Sequence, residues 1–412
     1  MSSLTDVFTA AETSGARSAQ PSDVRRQNIS AVMRTVLGHG PIARADVARL
    51  TGLAPGSVTK LTARLVEAGL LREESSEPAA RVPGRPRVPV SIDPGHHVVG
   101  VHVGLLWTIV GVIDLTGRIV SEVTMQHDGK TSFDVVARQA IDQVKRQTRN
   151  LRGTVLGVGA STGGWVDPDS GHVIDHPVLG WRDAPLRDTF EERLGHPVRV
   201  DNTVRAIALA ESWFGAGRDV RTLLHLFVGN IVGAGVVTDG RQHRGPRSAS
   251  GYLDHLPVGV RTDRKCSCGR YDCLQAVASD VALVTDARQR GILGPGENLD
   301  DLARLAAGGD RRATAALRAR ARHVGYALAL LIEILNPERV VLGGGVADHP
   351  EYLPEVHDAL RKRMHRPLHT DPSDLVRPTS FGRHAVMLAS GTLFLDAYYR
   401  DPMAFPPLAA AQ

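Results

Sequence analysis

At 412 residues, 42% hydrophobic and 23% charged, the chain is long enough for two or three domains and has the makeup of a globular protein with a large buried core. Its longest apolar run, Ala327 to Leu335 broken by Glu333, is too short to span a bilayer, so a helical membrane protein is excluded. The net charge of +5 is mild but uneven: residues 21–91 hold eleven lysines and arginines against six acids, which directs attention to nucleic acid at the front of the chain.

Residues 1–22 are rich in Ser, Thr, Ala and Gly without apolar periodicity and read as a solvated tail. Ile29, Val32, Met33, Val36 and Leu37 recur at helical spacing, and Gly38 to Pro41 end that helix. A short helix is expected from Arg44 to Leu50, with Val47, Ala48 and Leu50 inward. Gly52 then supplies a tight turn, and Pro55 opens a second helix with Val58, Leu61, Leu65 and Val66 on one face, ending at Gly69. That spacing is helix-turn-helix geometry, in which the second helix enters the major groove and presents polar residues to bases and phosphates. Ser57, Thr59, Lys60, Thr62 and Arg64 are the residues so placed, with Arg44 beside them. A packed helix pair with a merely solvated polar face is the plainer reading. The basic excess and the next segment favour DNA.

That segment begins a strand at Leu70 and Leu71, runs through an acidic loop, and then places Arg81, Arg85 and Arg87 around Gly84 among prolines. A basic hairpin tip after a helix-turn-helix reads as a wing that lays arginines on the backbone, passing into a proline-stiffened linker. The expected division is therefore a winged helix-turn-helix over residues 23–80, wing end and linker over 81–92, and an effector and dimerisation domain over 93–412.

From Val98 the pattern alternates strands with helices and indicates an α/β fold. Two strands turn at Leu105 and Leu106, and a third follows Gly117. A helix spans Phe133 to Asn150 with Val135, Val136, Ile141 and Val144 inward. Strand Thr154 to Ala160 runs into a glycine-rich loop, STGGWVDPDSG. A helix from Pro185, strand Val198 to Val200 and helix Thr203 to Phe214 complete one half. The second half opens with a hairpin joined through Gly229, Gly233 and Gly235, passes through helices between Asp280 and Leu335, and reaches strand Arg339 to Leu342. A helix from Arg383 to Tyr399 closes it. Two such halves suggest a duplicated, two-lobed fold with a cleft.

All three cysteines, Cys266, Cys268 and Cys273, fall within eight residues in a C-x-C-x4-C array, with His255 eleven positions upstream. Three thiolates and one imidazole satisfy tetrahedral zinc and leave no open position, so one structural zinc ion per chain is expected. Three scattered core thiols or a disulfide fit less well, the disulfide because the count is odd. Few cysteines and no leader-like opening make a reducing cytoplasm the expected location.

These motifs resemble the ROK family (repressors, open reading frames and kinases), whose repressor branch joins a winged helix-turn-helix to an actin-like, ribonuclease H-like sugar-kinase domain. The resemblance runs from about Arg25 to Ala397 and rests on GNIVGAGVVTDG at Gly229 to Gly240, the stretch Gly251 to Gln275, GWRDAPLRDTFEERLGHPVRV at Gly180 to Val200, VVLGGGVA at Val340 to Ala347, and GRPR at Gly84 to Arg87. His255, Cys266, Cys268 and Cys273 match the family's zinc ligands. The departures lie at the kinase positions. Where family kinases carry Asp-x-Gly-Gly-Thr for the ATP phosphates, this chain has His102, Val103, Gly104, Leu105 and Leu106. Where they carry Asn and the catalytic Asp, it has Asn202 and Thr203, and a hydroxyl in place of a carboxylate base typically costs about 10²–10⁴-fold in rate. Their Gly-Thr-Gly phosphate turn is here Gly229, Asn230 and Ile231, whose side chain obstructs a phosphate. Two sugar-binding glutamates are replaced by Tyr252 and Gln275.

The resemblance thus implies a DNA-binding regulator, most simply a repressor, that is not an enzyme. It would act as a homodimer or homotetramer on a palindromic duplex operator, away from membranes, and sense a sugar or related effector through Asn202, Thr203, Tyr252, His255 and Gln275. His172 and His176 lie in the loop that family members use near the ligand, with solvated loop histidines as the plainer reading, while Trp165 and Trp181 read as core or loop aromatics before ligand platforms. An active sugar kinase, or a ligand-free regulator controlled by a partner protein, are the alternatives.

Overall fold

The computed structural model describes residues 21–74, 88–127, 131–364 and 370–405. They divide into two units, one of residues up to Asp93 together with those from Asp396 on, the other of Pro94–Leu395.

In the first unit, helices Pro21–His39, Arg44–Thr51 and Pro55–Glu67 pack with a three-stranded antiparallel sheet. Its central strand, Pro89–Ile92, lies between Ile42–Ala43 and Leu71–Glu73. Ile29, Val32, Met33, Val36, Val47, Val58, Leu65 and Val90 are the buried core. Gly52 takes φ +70° between the second and third helices, a left-handed conformation that glycine adopts without a Cβ clash. Pro55 at the first helical position needs no N–H partner. Leu50 is 46% exposed rather than inward. At about 100° per residue it lies roughly 110° from the midpoint of the Val47 and Ala48 face, on the helix flank.

The second unit holds two five-stranded sheets of one topology. In the first, Val198–Asn202, Thr154–Thr162 and His96–Val103 run parallel, and Trp107–Asp114 and Ile119–Gln126 continue from His96–Val103 as an antiparallel meander. In the second, Val376–Pro378, Arg339–Gly343 and Thr222–Val228 are parallel, and Val232–Thr238 and Arg241–Gln242 extend the meander. Numbered within each half, both orders read 5-4-1-2-3. The duplication is thus carried by strand pairing.

Helix Phe133–Thr148 buries Val136, Ile141 and Val144 against the first sheet, while Val135 is 37% exposed, on the opposite side of the helix from that face. The start of helix Ala385–Arg400 lies close on the same sheet. A Cβ at Gly159 would fall 1.8 Å from the Ser390 carbonyl oxygen, so only glycine permits that approach. Two sequence expectations are corrected here. The stretch read as a glycine-rich loop, 161–171, holds the strand Trp165–Asp167, the first of a small antiparallel sheet completed by His172–His176 and Trp181–Ala184. In the second-half hairpin the connection is residues 229–231, and Gly233 and Gly235 lie inside the returning strand, where a Cβ at Gly235 would meet Ala208 at 2.7 Å.

Candidate functional site

A cleft of about 540 Å³ opens in the second unit, walled by the small sheet, the 231–234 segment, the 249–255 loop and Gln275. Asn202 ends a first-sheet strand and caps helix Thr203–Phe214. Its Oδ1 accepts from the Val204 N–H (2.9 Å), and its Nδ2 donates to the Gly164 carbonyl (2.8 Å). The Tyr252 hydroxyl donates to that same carbonyl (2.9 Å), and desolvation pushes its pKa up to about 12, so the phenol stays neutral. Gln275 Nε2 donates to the Asn230 carbonyl (3.0 Å), while its Oε1 is buried with no partner among the described residues. Trp165, His176, Ile231 and His255 also line the cleft.

Thr203 does not. It is 4% exposed behind the wall, with its Oγ1 at 3.3 Å from His102 Nδ1 and 3.4 Å from Ser161 Oγ. As the first residue of the helix, it has its side chain turned under the strand end, and the expectation that it touches an effector is corrected. His102 is buried beside Ser161 (3.2 Å), and burial lowers its pKa to about 4. The resembled kinases have carboxylates at positions 102 and 203; here a neutral imidazole and hydroxyls meet instead. The turn after His102 is a closed hairpin, in which the Gly104 N–H donates to the Trp107 carbonyl and Leu106 and Trp107 are about half exposed. Trp181 is a core residue packed edge-on against Phe133 at 5.3 Å, and His172 pairs with Asp183 at 2.7 Å.

Sequence reasoning missed an acidic group beside the 229–231 turn. The Asp280 N–H donates to the Gly229 carbonyl (2.8 Å), and a Cβ at Gly229 would lie 3.6 Å from Asp280 Oδ2. Asp280 pairs with Arg320, a 2% exposed guanidinium that also donates to the carbonyls of Ala278 (2.8 Å) and Val228 (3.0 Å). Burial raises the Asp280 carboxyl above its ordinary range despite that partner. The two residues are 40 positions apart, so no local motif marks them.

His255, Cys266, Cys268 and Cys273 converge with all four ligand atoms within 4.8 Å of one another. His255 Nδ1 lies 3.3 Å from Cys266 Sγ, and Cys268 Sγ lies 3.3 Å from Cys273 Sγ. A tetrahedron with metal–sulfur bonds of about 2.3 Å has edges of roughly 3.8 Å, so the cluster fits a metal with slight expansion. The Arg270 backbone N–H pulls the Cys268 thiol down to about 6, which favours the thiolate a metal requires. Burial pushes Cys273 up to about 12, the penalty that a bound cation would reverse. His255 Nε2 faces Asp254 at 3.7 Å, a carboxylate placed to orient the ring.

On the third helix of the first unit, Ser57, Thr59, Lys60 and Arg64 are exposed on one side. Thr62 is fully buried and does not belong to that surface. Its hydroxyl accepts from Arg44 Nε (2.9 Å) and donates to the Val58 carbonyl (2.9 Å). Arg44 is itself engaged with Glu73 at the end of strand Leu71–Glu73 (2.5 Å). Arg85 and Arg87 lie outside the described residues.

The sequence profile of the ROK family matches residues 98–396. The chain belongs to the ROK family. A transcriptional regulator of Mycobacterium tuberculosis is 33% identical to it over 389 residues, spanning 91% of this chain and 86% of that protein. The DNA-binding transcriptional dual regulator NagC of Escherichia coli is 29% identical over 347 residues, 80% of this chain and 83% of its own. Among solved structures, a ROK transcriptional regulator homologous to the Escherichia coli MLC protein superposes with a TM-score of 0.77 at 25% identity, covering 92% of this chain and 97% of its own. A ROK glucokinase from Streptomyces griseus in complex with glucose and AMPPNP gives 0.62 at 27% identity, covering 72% of this chain and 98% of its own. ROK regulators and ROK kinases therefore share the fold of the second unit. The regulators extend further over this chain.

Proposed function

We propose that this ROK protein is a DNA-binding transcriptional regulator, in its simplest form a repressor, whose second unit senses a small molecule and does not phosphorylate it. The observation that carries the reading is the exposed face of helix Pro55–Glu67, where Ser57, Thr59, Lys60 and Arg64 lie clear of the core behind a glycine turn, as in a major-groove recognition helix. Residues 23–80 would form the winged helix-turn-helix, 81–92 the wing end and linker, with Arg85 and Arg87 on the backbone, and 93–412 the effector and dimerisation domain. Two copies would hold two recognition helices on a palindromic operator in the cytoplasm. One zinc ion held by His255, Cys266, Cys268 and Cys273 would be structural, since four protein ligands leave no place for a reacting water.

Two features oppose kinase chemistry. The His102, Ser161 and Thr203 cluster supplies no carboxylate base, and Ile231 stands in the turn that the resembled kinases use for phosphate. Incubation with ATP and a panel of hexoses is expected to give no sugar phosphate above background, and turnover of any hexose refutes that part of the reading. For DNA, selection from a random duplex pool should enrich a two-fold symmetric site. Lys60→Ala with Arg64→Ala should weaken binding to it and lower the log–log salt slope by up to about two units if each contacts a phosphate. An unchanged slope and affinity removes this helix from the interface.

A further inference from the structure

The chemistry of the cleft walls limits the charge of what can enter. Among the described residues, Asp175 and Asp254 line it and no lysine or arginine does. Two neighbouring arginines are committed elsewhere. Arg205, 2% exposed, is bound to Asp201 and to the carbonyls of Ser248, Ser250 and Val166, and Arg270 donates to the His255 carbonyl. Arg182 stands 3.8 Å from Asp175 but is 88% exposed, where water and salt screen it. An anion entering this space would meet two carboxylates with no cation set to receive it.

Hydrogen-bonding capacity points the same way. Several side-chain donors are already used: Asn202 Nδ2 and the Tyr252 hydroxyl on the Gly164 carbonyl, and Gln275 Nε2 on the Asn230 carbonyl. His176 keeps a donor on Nε2, since its Nδ1 accepts from the Leu179 N–H, and the acceptors are Gln275 Oε1, buried without a partner among the described residues, and the carboxylates of Asp175 and of Asp254, the latter beside His255. A buried acceptor without a donor is costly, so a ligand that donates to Gln275 Oε1 recovers that penalty on binding. Trp165, Val178 and Ile231 add apolar lining to the same cleft.

We propose that the effector is rich in hydrogen-bond donors and carries no negative charge, being a neutral or ammonium-bearing sugar with an apolar substituent, held by Gln275 Oε1, and that phosphorylated sugars are excluded. This rests on the reading of the cleft as the sensor. The probes are glucose, mannose and galactose, each as the free sugar, the 2-amino sugar, the phenyl glycoside and the 6-phosphate, titrated into the full-length protein by calorimetry. The expected result is that the tightest probe is an amino sugar or phenyl glycoside and that the 6-phosphate of the same hexose binds at least tenfold more weakly. Asp175→Asn, an isosteric change at a half-exposed position, should cut the advantage of amino over free sugar severalfold and relax the exclusion of the phosphate. A 6-phosphate that binds as tightly as its free sugar overturns the inference while leaving the sensor reading in place. Unchanged selectivity in Asp175→Asn overturns the part assigned to that carboxylate. If no probe binds, the inference falls, while the sensor reading stands for small molecules of another class.

Discussion

Thr62 lies about 40° around its helix from Val58, so a polar residue type sits in the core face, and its hydroxyl is what Arg44 is anchored to. Thr62→Val keeps the shape but strips Arg44 Nε of its acceptor, which should cost about 1–2 kcal/mol in urea unfolding and leave the salt slope of DNA binding as it was. A lowered slope with unchanged stability would return Thr62 to the DNA surface. Two histidines give the protein an acid limit. Burial lowers His102 to about 4 and His225 to about 3 from an ordinary 6.5, so the folded state keeps both neutral while the unfolded chain takes up protons below 6.5. The unfolded state then binds more protons, stability rises with pH across that window, and what these groups contribute is complete above 6.5 and is lost as pH falls toward 4 and then 3. At about 1.4 kcal/mol per unit the loss is several kcal/mol at most. His225→Leu should flatten the pH dependence of the urea midpoint between 6.5 and 4, and a slope equal to the parent's removes His225 from the account.

Around the ligands of the metal loop, only Cys266, Cys273 and Ala276 form a separate buried cluster among the described residues, while Val258 and Leu274 of the same stretch join the main core, and the backbone is tied by single bonds such as Leu274 N–H to the Leu256 carbonyl and Cys266 N–H to the Arg270 carbonyl. A metal held by four side chains would supply the missing cross-links, and because no such site exists in the unfolded chain, its binding free energy adds to folding. Cys266→Ser should therefore lose the metal and lower the melting temperature. Purified parent protein with less than about half an equivalent of zinc, or a variant that melts with the parent, counts against the site.

This element was legible in the sequence because its ligands are neighbours in the chain, and the long strands and helices were legible from their apolar periods. The small sheet at 165–184 was not, since strands of three to five residues among Gly, Asp and Pro carry no period. The duplication was suggested by two halves of like pattern, but its strand order, 5-4-1-2-3, was not legible, because order resides in pairing rather than in repeated residues. The cleft draws on segments from 164 to 275, so Asn202, Tyr252 and Gln275 could be named only through the family resemblance, and Thr203 was misplaced because nothing local shows which side of a strand end faces the opening.

At the scale of the whole molecule, the Gly164 carbonyl is where a signal can start. It accepts from Asn202, in the half built on the first sheet, and from Tyr252, in the half built on the second, so one oxygen joins the two halves at the mouth of the cleft. A ligand that enters there and competes for either donor has different contacts in the joined and parted arrangements. Only such a difference lets a ligand shift a conformational equilibrium. Coupling of this kind is typically about 1–3 kcal/mol, a change of 5- to 150-fold in operator affinity. Linkage makes the test strict, because operator DNA must change effector affinity by the same factor that effector changes operator affinity. With the tightest sugar probe and the selected operator, both titrations should therefore give one coupling factor. Tyr252→Ala and Asn202→Ala should shrink it while leaving operator affinity without effector close to the parent's. Two unequal factors would mean the titrations are not reporting one equilibrium. Variants that respond as the parent does would move the sensor away from Gly164.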